Sequence, residues 1–419
     1  MSLGAALTEE GATGAPSGRL RRGLARSERR RTRQGWLLLA PVLLFLAFTF
    51  IVPIGGMLWR SVADPELSQV LPRTVASLKH WSGTEAPDEA SFAALAQDLS
   101  DARTAGNLGL AAKRLNYDLP GYRALLQTAA RRNLIDAPPP YKAAFIAVDP
   151  QWGEAETWGA IARASGPVTS FYLLAAVDLK RQADGSIALS SPQTRIYLEV
   201  LLRTFTIGLT VTLLCLVLGF PLAHLLATAP PRVANLLMIL VLLPFWTSLL
   251  VRTTAWIVLL QSQGVVNGVL QSLGLITEPI QMIYNRFGVH VAMTHVLLPF
   301  MVLPLYSTMR AIPPVYRRAA LSLGASPMQA FLRVYLPQTV PGVAAGCLLV
   351  FILAIGYYIT PALVGGAADQ MISYFIAFVT SETANWGMAA ALGAVLLVIT
   401  SMLYWIYSRI AGTGGVKLG

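Results

Sequence analysis

The stretch YRRAALSLGASPMQAFLRVYLP runs from Tyr316 to Pro337 between two long apolar runs. Val315 to Leu323 can wind as a short helix with the small residues Ala319 and Ala320 on its surface. Gly324 permits a left-handed turn at the end of that helix. Ser326 can then cap a second helix with Pro327 at its first position, where the N–H that proline lacks is not needed. Pro337 is expected to break the chain before the next apolar run. Two short helices at a sharp angle, with an Ala-rich face, suit a cleft in another protein. The competing reading is an amphipathic helix lying on a membrane surface.

Working outward, the apolar runs set the fold class. A membrane-crossing helix needs about 20 apolar residues, because the hydrocarbon core is about 30 Å thick and a helix rises about 1.5 Å per residue. Six segments qualify: 36–59, 204–228, 235–252 (with a further apolar stretch to 261), 287–308, 342–365 and 386–407. The whole chain has 419 residues, 55% of them hydrophobic and 13% charged. A soluble domain carries about a quarter charged residues, so the composition argues against a soluble cytosolic enzyme. Cys215 and Cys347 both lie inside apolar runs, which excludes a disulfide framework and leaves little room for a cysteine zinc site.

The net charge of +11 is a topology signal, not a nucleic-acid footprint. Lys and Arg concentrate on the cytoplasmic side of a membrane. The first 35 residues hold eight Arg against three Glu. Alternation then puts 229–234, 309–341 and the C-terminal tail on the same side, giving 15 basic against 3 acidic residues inside. Both termini are therefore expected in the cytoplasm, with 1–35 as an Arg-rich disordered tail and 411–419 as a short one. The first apolar run exceeds a signal peptide's apolar region and lacks a small-residue cleavage site after it, so it reads as a retained anchor.

Residues 60–195 differ from the rest. They carry 14 basic and 14 acidic residues and are long enough to bury a core of their own. Topology makes them an extracytoplasmic domain. Phe92, Leu95 and Leu99 share a helical face, and Asp88 is placed to cap that helix. Tyr122 to Ile135 reads as another helix. Phe171 to Leu189 reads as a helix or as two strands joined at Asp184-Gly185.

Several chemistries are missing from the sequence. It has no G-x-x-x-x-G-K-[ST], H-E-x-x-H, C-x-x-C or G-x-S-x-G. The chain is therefore not expected to bind ATP itself, to be an enzyme or to hold a metal. The four histidines are His80, His224, His290 and His295; the last two lie about 140° apart around their helix and share no face. The six apolar segments contain no carboxylate, which argues against a proton relay.

The spacing Ala319-Ala320-x3-Gly324-x9-Val334-x-Leu336-Pro337 resembles the EAA loop of binding-protein-dependent ABC importer permeases, which also precedes the penultimate span. Arg318 stands where the family's usual Glu does. The resemblance covers roughly 200–410. Within it, Gly219-Phe220-Pro221-Leu222-Ala223, Pro244-Phe245-Trp246-Thr247 followed by Arg252, Pro299 to Tyr306, and Gly356 to Gly366 are similar to the spermidine/putrescine permease subgroup, first-permease type. Residues 60–195 are longer than that subgroup's first outer loop and lie outside the resemblance.

The resemblance implies an all-α membrane protein with the six-helix fold of a type I ABC importer permease, spanning 196–410 after the first helix. The 60–195 segment becomes a mainly helical extracytoplasmic insertion between helices 1 and 2. It implies a permease subunit in a bacterial inner membrane, working with two copies of an ATP-binding subunit, a second permease of a different chain and a periplasmic solute-binding protein. ATP and Mg are then used by the partner ATPase. The coupling loop is 313–337, with Arg318, Ala319, Ala320, Gly324, Leu336 and Pro337 as ATPase-coupling residues. Polyamines are the first substrate class, with aminophosphonate, ferric iron or another small solute as alternatives, and a stand-alone facilitator or sensor as the contrasting class. Trp246, Tyr306, Tyr357 and Tyr358 offer aromatic faces for a cation path, or else belong to an interfacial belt. Arg252 either snorkels or binds an anion.

Overall fold

The computed structural model describes residues 34–182, 186–192 and 194–412. The Arg-rich tail lies almost wholly outside them, as do Asp184, Gly185 and the last seven residues. Among the described residues, six helices are long and apolar enough to cross a membrane: Gln34–Arg60, Tyr197–Thr228, Leu249–Ser272, Arg286–Ala311, Pro327–Gly356 and Trp386–Arg409. The described residues divide into two units, one ending at Trp59 and one beginning at Arg60. In the first, the apolar side chains of the helix from residue 34 onward face outward. Its turn over Ala47–Ile51 is widened, with the Val52 N–H reaching Ala47 O. Pro53, next in the chain, has no N–H with which to continue the regular ladder.

The second unit contains two cores. Residues 61–169 form a bundle of short helices, chiefly Glu66–Val70, Pro72–Ser77, Glu89–Thr104, Leu108–Asp118, Tyr122–Arg131, Tyr141–Val148 and Ala155–Arg163. Phe92, Phe145, Trp152 and Trp158 interlock at its centre with ring centroids 4.6–5.8 Å apart. Asp88 caps the Glu89 helix by accepting the Ser91 N–H. The strands of chain leading in and out are tied together, Thr169 N to Val62 O at 2.7 Å and Asp64 N to Pro167 O at 3.1 Å. The helix read over Tyr122 to Ile135 stops at Arg131, because Asn133 takes φ +50 and a 3-10 turn follows at Leu134–Asp136. The ambiguous 171–189 stretch is both of its readings in sequence: a helix, Phe171–Ala175, then antiparallel strands Leu179–Arg181 and Ile187–Leu189.

Three helices, Tyr197–Thr228, Arg286–Ala311 and Leu336–Gly356, pack together as the centre of the membrane core. Glycine permits their close approach. A Cβ on Gly346 would lie 2.7 Å from Met301 Sδ, and one on Gly342 would lie 2.6 Å from Thr308 Oγ1. Their outward faces remain apolar, as at Leu202, Leu209, Leu213 and Val217.

Span boundaries depart from the sequence reading at three places, each for a backbone reason. The third span is not 235–252. Pro231–Leu242 ends in a 3-10 turn, Leu243–Trp246, where Pro244 interrupts the ladder; Ser248 then caps Leu249–Leu260. The fifth span is not 342–365. It begins at Pro327 and stops at Gly356, and Ile359–Val364 is a separate short helix. Pro337 does not break it, because it sits in the first turn of Leu336–Gly356 and a wide turn over Phe331–Tyr335 carries the helix through. The second span starts at Tyr197, earlier than 204, so its first turn includes Glu199, a carboxylate paired with Arg203 at 2.9 Å. Asp178 initiates it by accepting the N–H groups of Ile196, Tyr197 and Leu198.

Candidate functional site

The 313–337 segment follows the helix Arg286–Ala311. Pro314–Ser322 is its first helix, with no buried residue. The helix closes with paired bonds, Ala325 N to Ala320 O at 3.1 Å and Gly324 N to Leu321 O at 3.0 Å. This closure places Gly324 at φ +88, a conformation that costs a residue with a Cβ about 1–2 kcal/mol. Ser326 and Gln329 form a reciprocal capping box for the next turn, with Pro327 at its first position. Arg318, Ala319, Gly324 and Pro337 are exposed; Ala320 and Leu336 are partly buried. The apolar side chains of Val315, Tyr316, Leu323 and Met328 are at least half exposed. A purely solvated loop would not collect so much apolar surface.

Besides running into the fifth span, the segment meets the end of the second span. Tyr335 Oη and His224 Nδ1 are hydrogen-bonded at 3.2 Å, the two rings meet edge to face, and Phe331 completes the cluster. Arg310 donates to Ala227 O at 3.4 Å nearby. Sequence reasoning named His224 without a role. Its partner lies 111 residues later, which no local pattern reveals.

The residues read as a substrate path do not form one cluster. Trp246 is 84% exposed at the end of the 3-10 turn. Arg252 is occupied by the broken helix, donating to Pro244 O, to Thr247 O at 2.9 Å and to Thr247 Oγ1 at 3.3 Å. It thereby satisfies carbonyls that the end of the 3-10 turn leaves without helical partners. Tyr306 and Tyr357 pack against the membrane core, while Tyr358 is largely exposed. One polar pair on these elements was not suggested by the sequence: Trp256 Nε1 donates to His295 Nδ1 at 3.1 Å.

At the opposite end of the second span, the helical domain meets the start of the last span. Tyr117 Oη and Lys113 Nζ reach the carbonyls of Thr383 and Ala384, at 3.5 and 3.3 Å. Tyr172 lies against Gly387, where a Cβ would come within 2.5 Å of its ring. Arg114, fully buried on the same helix as Lys113, donates to Asp64 at 2.7 Å and stacks over Phe171 and Tyr172. Burial pushes the Asp64 carboxyl above its ordinary range, and the Arg114 guanidinium opposes that shift. Burial likewise raises the Tyr172 hydroxyl.

Six apolar spans, with an exposed helix Pro314–Ser322 that turns at Gly324 into the start of the fifth, define a class. The chain belongs to the family of binding-protein-dependent transport system inner membrane components, whose profile matches residues 215–412. It is a multi-pass inner-membrane permease subunit. Among individual relatives it is 38% identical over 214 residues to the spermidine/putrescine transport system permease protein PotB of Salmonella typhimurium (strain SL1344), covering 51% of this chain and 75% of that one. It is equally similar to PotB of Escherichia coli (strain K12), covering 78% of it. It is 31% identical over 226 residues to the inner membrane ABC transporter permease protein YdcU of the same E. coli strain, covering 51% of this chain and 71% of that one. Among solved structures, the inward-facing MetNI methionine ABC transporter aligns with 54% of this chain and 99% of its own, at 18% identity and a TM-score of 0.42. Residues 60–195 lie outside the family match.

Proposed function

We propose that this chain is the first-permease-type subunit of an ATP-driven importer for polyamines, of the spermidine/putrescine class. The identity to PotB over three quarters of that protein supports the substrate class. Basic residues cluster on the side that holds the 313–337 segment, which supports cytoplasmic termini and an extracytoplasmic 60–195 domain. In this reading two ATP-binding subunits bind below, a second permease pairs across the pore, and a periplasmic binding protein delivers solute. ATP and Mg belong to the ATPase. The outer domain is a docking platform for the binding protein, supported by its fixed seat on the last span.

The observation that carries the reading is the exposed helix pair at Gly324. Ala319, Ala320 and Gly324 form the contact with the ATPase, and Arg318, in place of the family's usual acid, meets an acidic group there. Leu336 and Pro337 join the pair to the fifth span. ATP-driven closure pulls the pair and tilts the spans. Trp246, Tyr306, Tyr357 and Tyr358 supply scattered aromatic faces for a weak cation passage, with selectivity left to the binding protein. Arg252 shapes the broken third helix beside it.

The test is isolation of the tagged chain from its native membrane, followed by spermidine uptake in proteoliposomes. An ATPase and a second six-span permease are expected to co-purify. Gly324→Val has room for its side chain but not for its backbone. It is expected to reach the membrane normally and to lose uptake by about fivefold to thirtyfold, the equivalent of the 1–2 kcal/mol backbone strain. Normal uptake with normal assembly would remove Gly324 from the coupling contact.

A further inference from the structure

We infer that His224 is a positioning residue that passes movement of the 313–337 segment to the second span, through the wide turn Phe331–Tyr335. The inference rests on the coupling role proposed above for that segment. Leu336 N bonds to Phe331 O, five residues back, because Pro337 has no N–H and cannot hold the next step of a regular ladder. The widened turn projects two aromatic rings, Phe331 and Tyr335, stacked at 5.6 Å. His224 meets both, with centroids at 5.6 and 5.1 Å, and is hydrogen-bonded to Tyr335 Oη. The Pro314–Ser322 helix packs on the same turn. The turn thus lies within the fifth span and touches both the Pro314–Ser322 helix and the second span.

A wide helical turn is a soft point in a stiff rod. Left alone, it would absorb a push on the exposed helices by bending. Clamping its two rings to His224 makes the push move the second span as well. Ala330, beside the turn, is fully buried and Thr339, one turn beyond Tyr335, bonds Leu336 O at 2.7 Å, so both shoulders of the turn are held. His224 therefore sets how much of each ATP-driven stroke reaches the spans, without touching solute or nucleotide.

The experiment measures ATP hydrolysed per spermidine imported, in proteoliposomes holding the whole importer with its binding protein. His224→Leu removes the hydrogen bond and the polar edge; it is expected to raise that ratio roughly fivefold or more, the low end of ordinary coupling between sites. Tyr335→Phe keeps the stack and loses only the hydrogen bond, so a rise of roughly twofold to tenfold is expected. His224→Gln, which keeps a polar partner for Tyr335, is expected to recover part of the loss. A change confined to folding lowers hydrolysis and import together and leaves the ratio unmoved. An unmoved ratio in Tyr335→Phe, which disturbs packing least, overturns the inference even if His224→Leu fails to assemble. A wild-type importer that shows no spermidine-dependent hydrolysis overturns the polyamine reading, before any variant is made.

Discussion

The helical domain over 61–169 and the three central membrane helices are both tightly packed, yet they use opposite residues at their contacts. The domain's centre is built from large rings, Phe92, Phe145, Trp152 and Trp158, together with a buried ion pair. The membrane core closes on Gly219, Gly342 and Gly346 against Met301 and Thr308. The surroundings explain the contrast. In water, burying a large ring gains about 25 cal/mol per Å² of apolar surface. In lipid the exposed alternative is already apolar, so helices associate through close backbone approach and small residues. Polar groups follow the same division. The domain buries Arg114 against Asp64, whereas spans satisfy threonine hydroxyls inside their own helix, as Thr204 does on Val200 O at 2.7 Å and Thr212 on Gly208 O at 2.7 Å.

The largest break in this comparison is Asp64→Ala. Arg114 is 0% exposed, and its Nε bond to Asp64 is the hydrogen bond that holds its charge. Removing the carboxylate leaves a buried cation unpaired, at a cost of about 3–5 kcal/mol. Hydrogen exchange of Leu108–Asp118 amides is expected to accelerate strongly, while amides of the membrane core stay protected. Replacing both partners, Asp64→Leu with Arg114→Met, is expected to recover most of the loss, because an apolar pair of similar volume needs no counter-charge. Equal acceleration in both cores would show that the domain and the membrane helices unfold as one unit.

The matching change in the membrane core is Gly346→Leu. Its Cβ alone would press on Met301 Sδ at 2.7 Å, and the longer side chain forces the fifth span from the fourth. Overpacking costs about 1–3 kcal/mol. Met301→Ala in the same chain is expected to restore thermal stability in detergent by making room. If Gly346→Leu alone proves neutral, close approach is not what holds these helices together.

How much of this could be read in advance depended on whether the signal was local. Apolar length located five of the six membrane helices and set the third too early, because the Pro244 turn and the Ser248 cap restart it at Leu249, while Ser326, Pro327 and Gly324 announced the turn between the short helices within a few residues of one another. Proline was harder. Pro337 and Pro53 each follow a wide turn by two residues, and the helix continues through both, because a turn that reaches five residues back lets the chain do without the missing N–H. Pro244 has the opposite outcome, since a 3-10 turn and the Ser248 cap offer the backbone a stop. Residue type alone does not separate these cases. The pairs that organise the sites, His224 with Tyr335, Trp256 with His295 and Asp64 with Arg114, span 111, 39 and 50 residues. Periodicity carries no information about such distances. Arg252 shows the limit most clearly: its charge suggested a ligand, and its geometry gives it three backbone and hydroxyl partners left by a broken helix.

Backbone caps should ignore the contrast between the two regions, which gives the smallest and sharpest test. Asp88 accepts the Ser91 N–H at 3.2 Å and the Ser91 hydroxyl at 2.8 Å at the start of Glu89–Thr104. Ser326 does the equivalent job for Gln329 at 3.3 Å in the exposed helix pair. Both satisfy an orphan N–H that would otherwise face solvent. Asp88→Ala and Ser326→Ala are each expected to cost about 1 kcal/mol of local stability, read by exchange of the first-turn amides, and Asp88→Asn is expected to be nearly neutral. The two alanine variants differ only in consequence: Asp88→Ala loosens one helix of a domain that has other contacts, while Ser326→Ala loosens the turn that directs the exposed pair. A loss of spermidine uptake from Ser326→Ala but not from Asp88→Ala, at equal local cost, would place the function at the helix pair. Equal losses would mean that uptake follows stability alone.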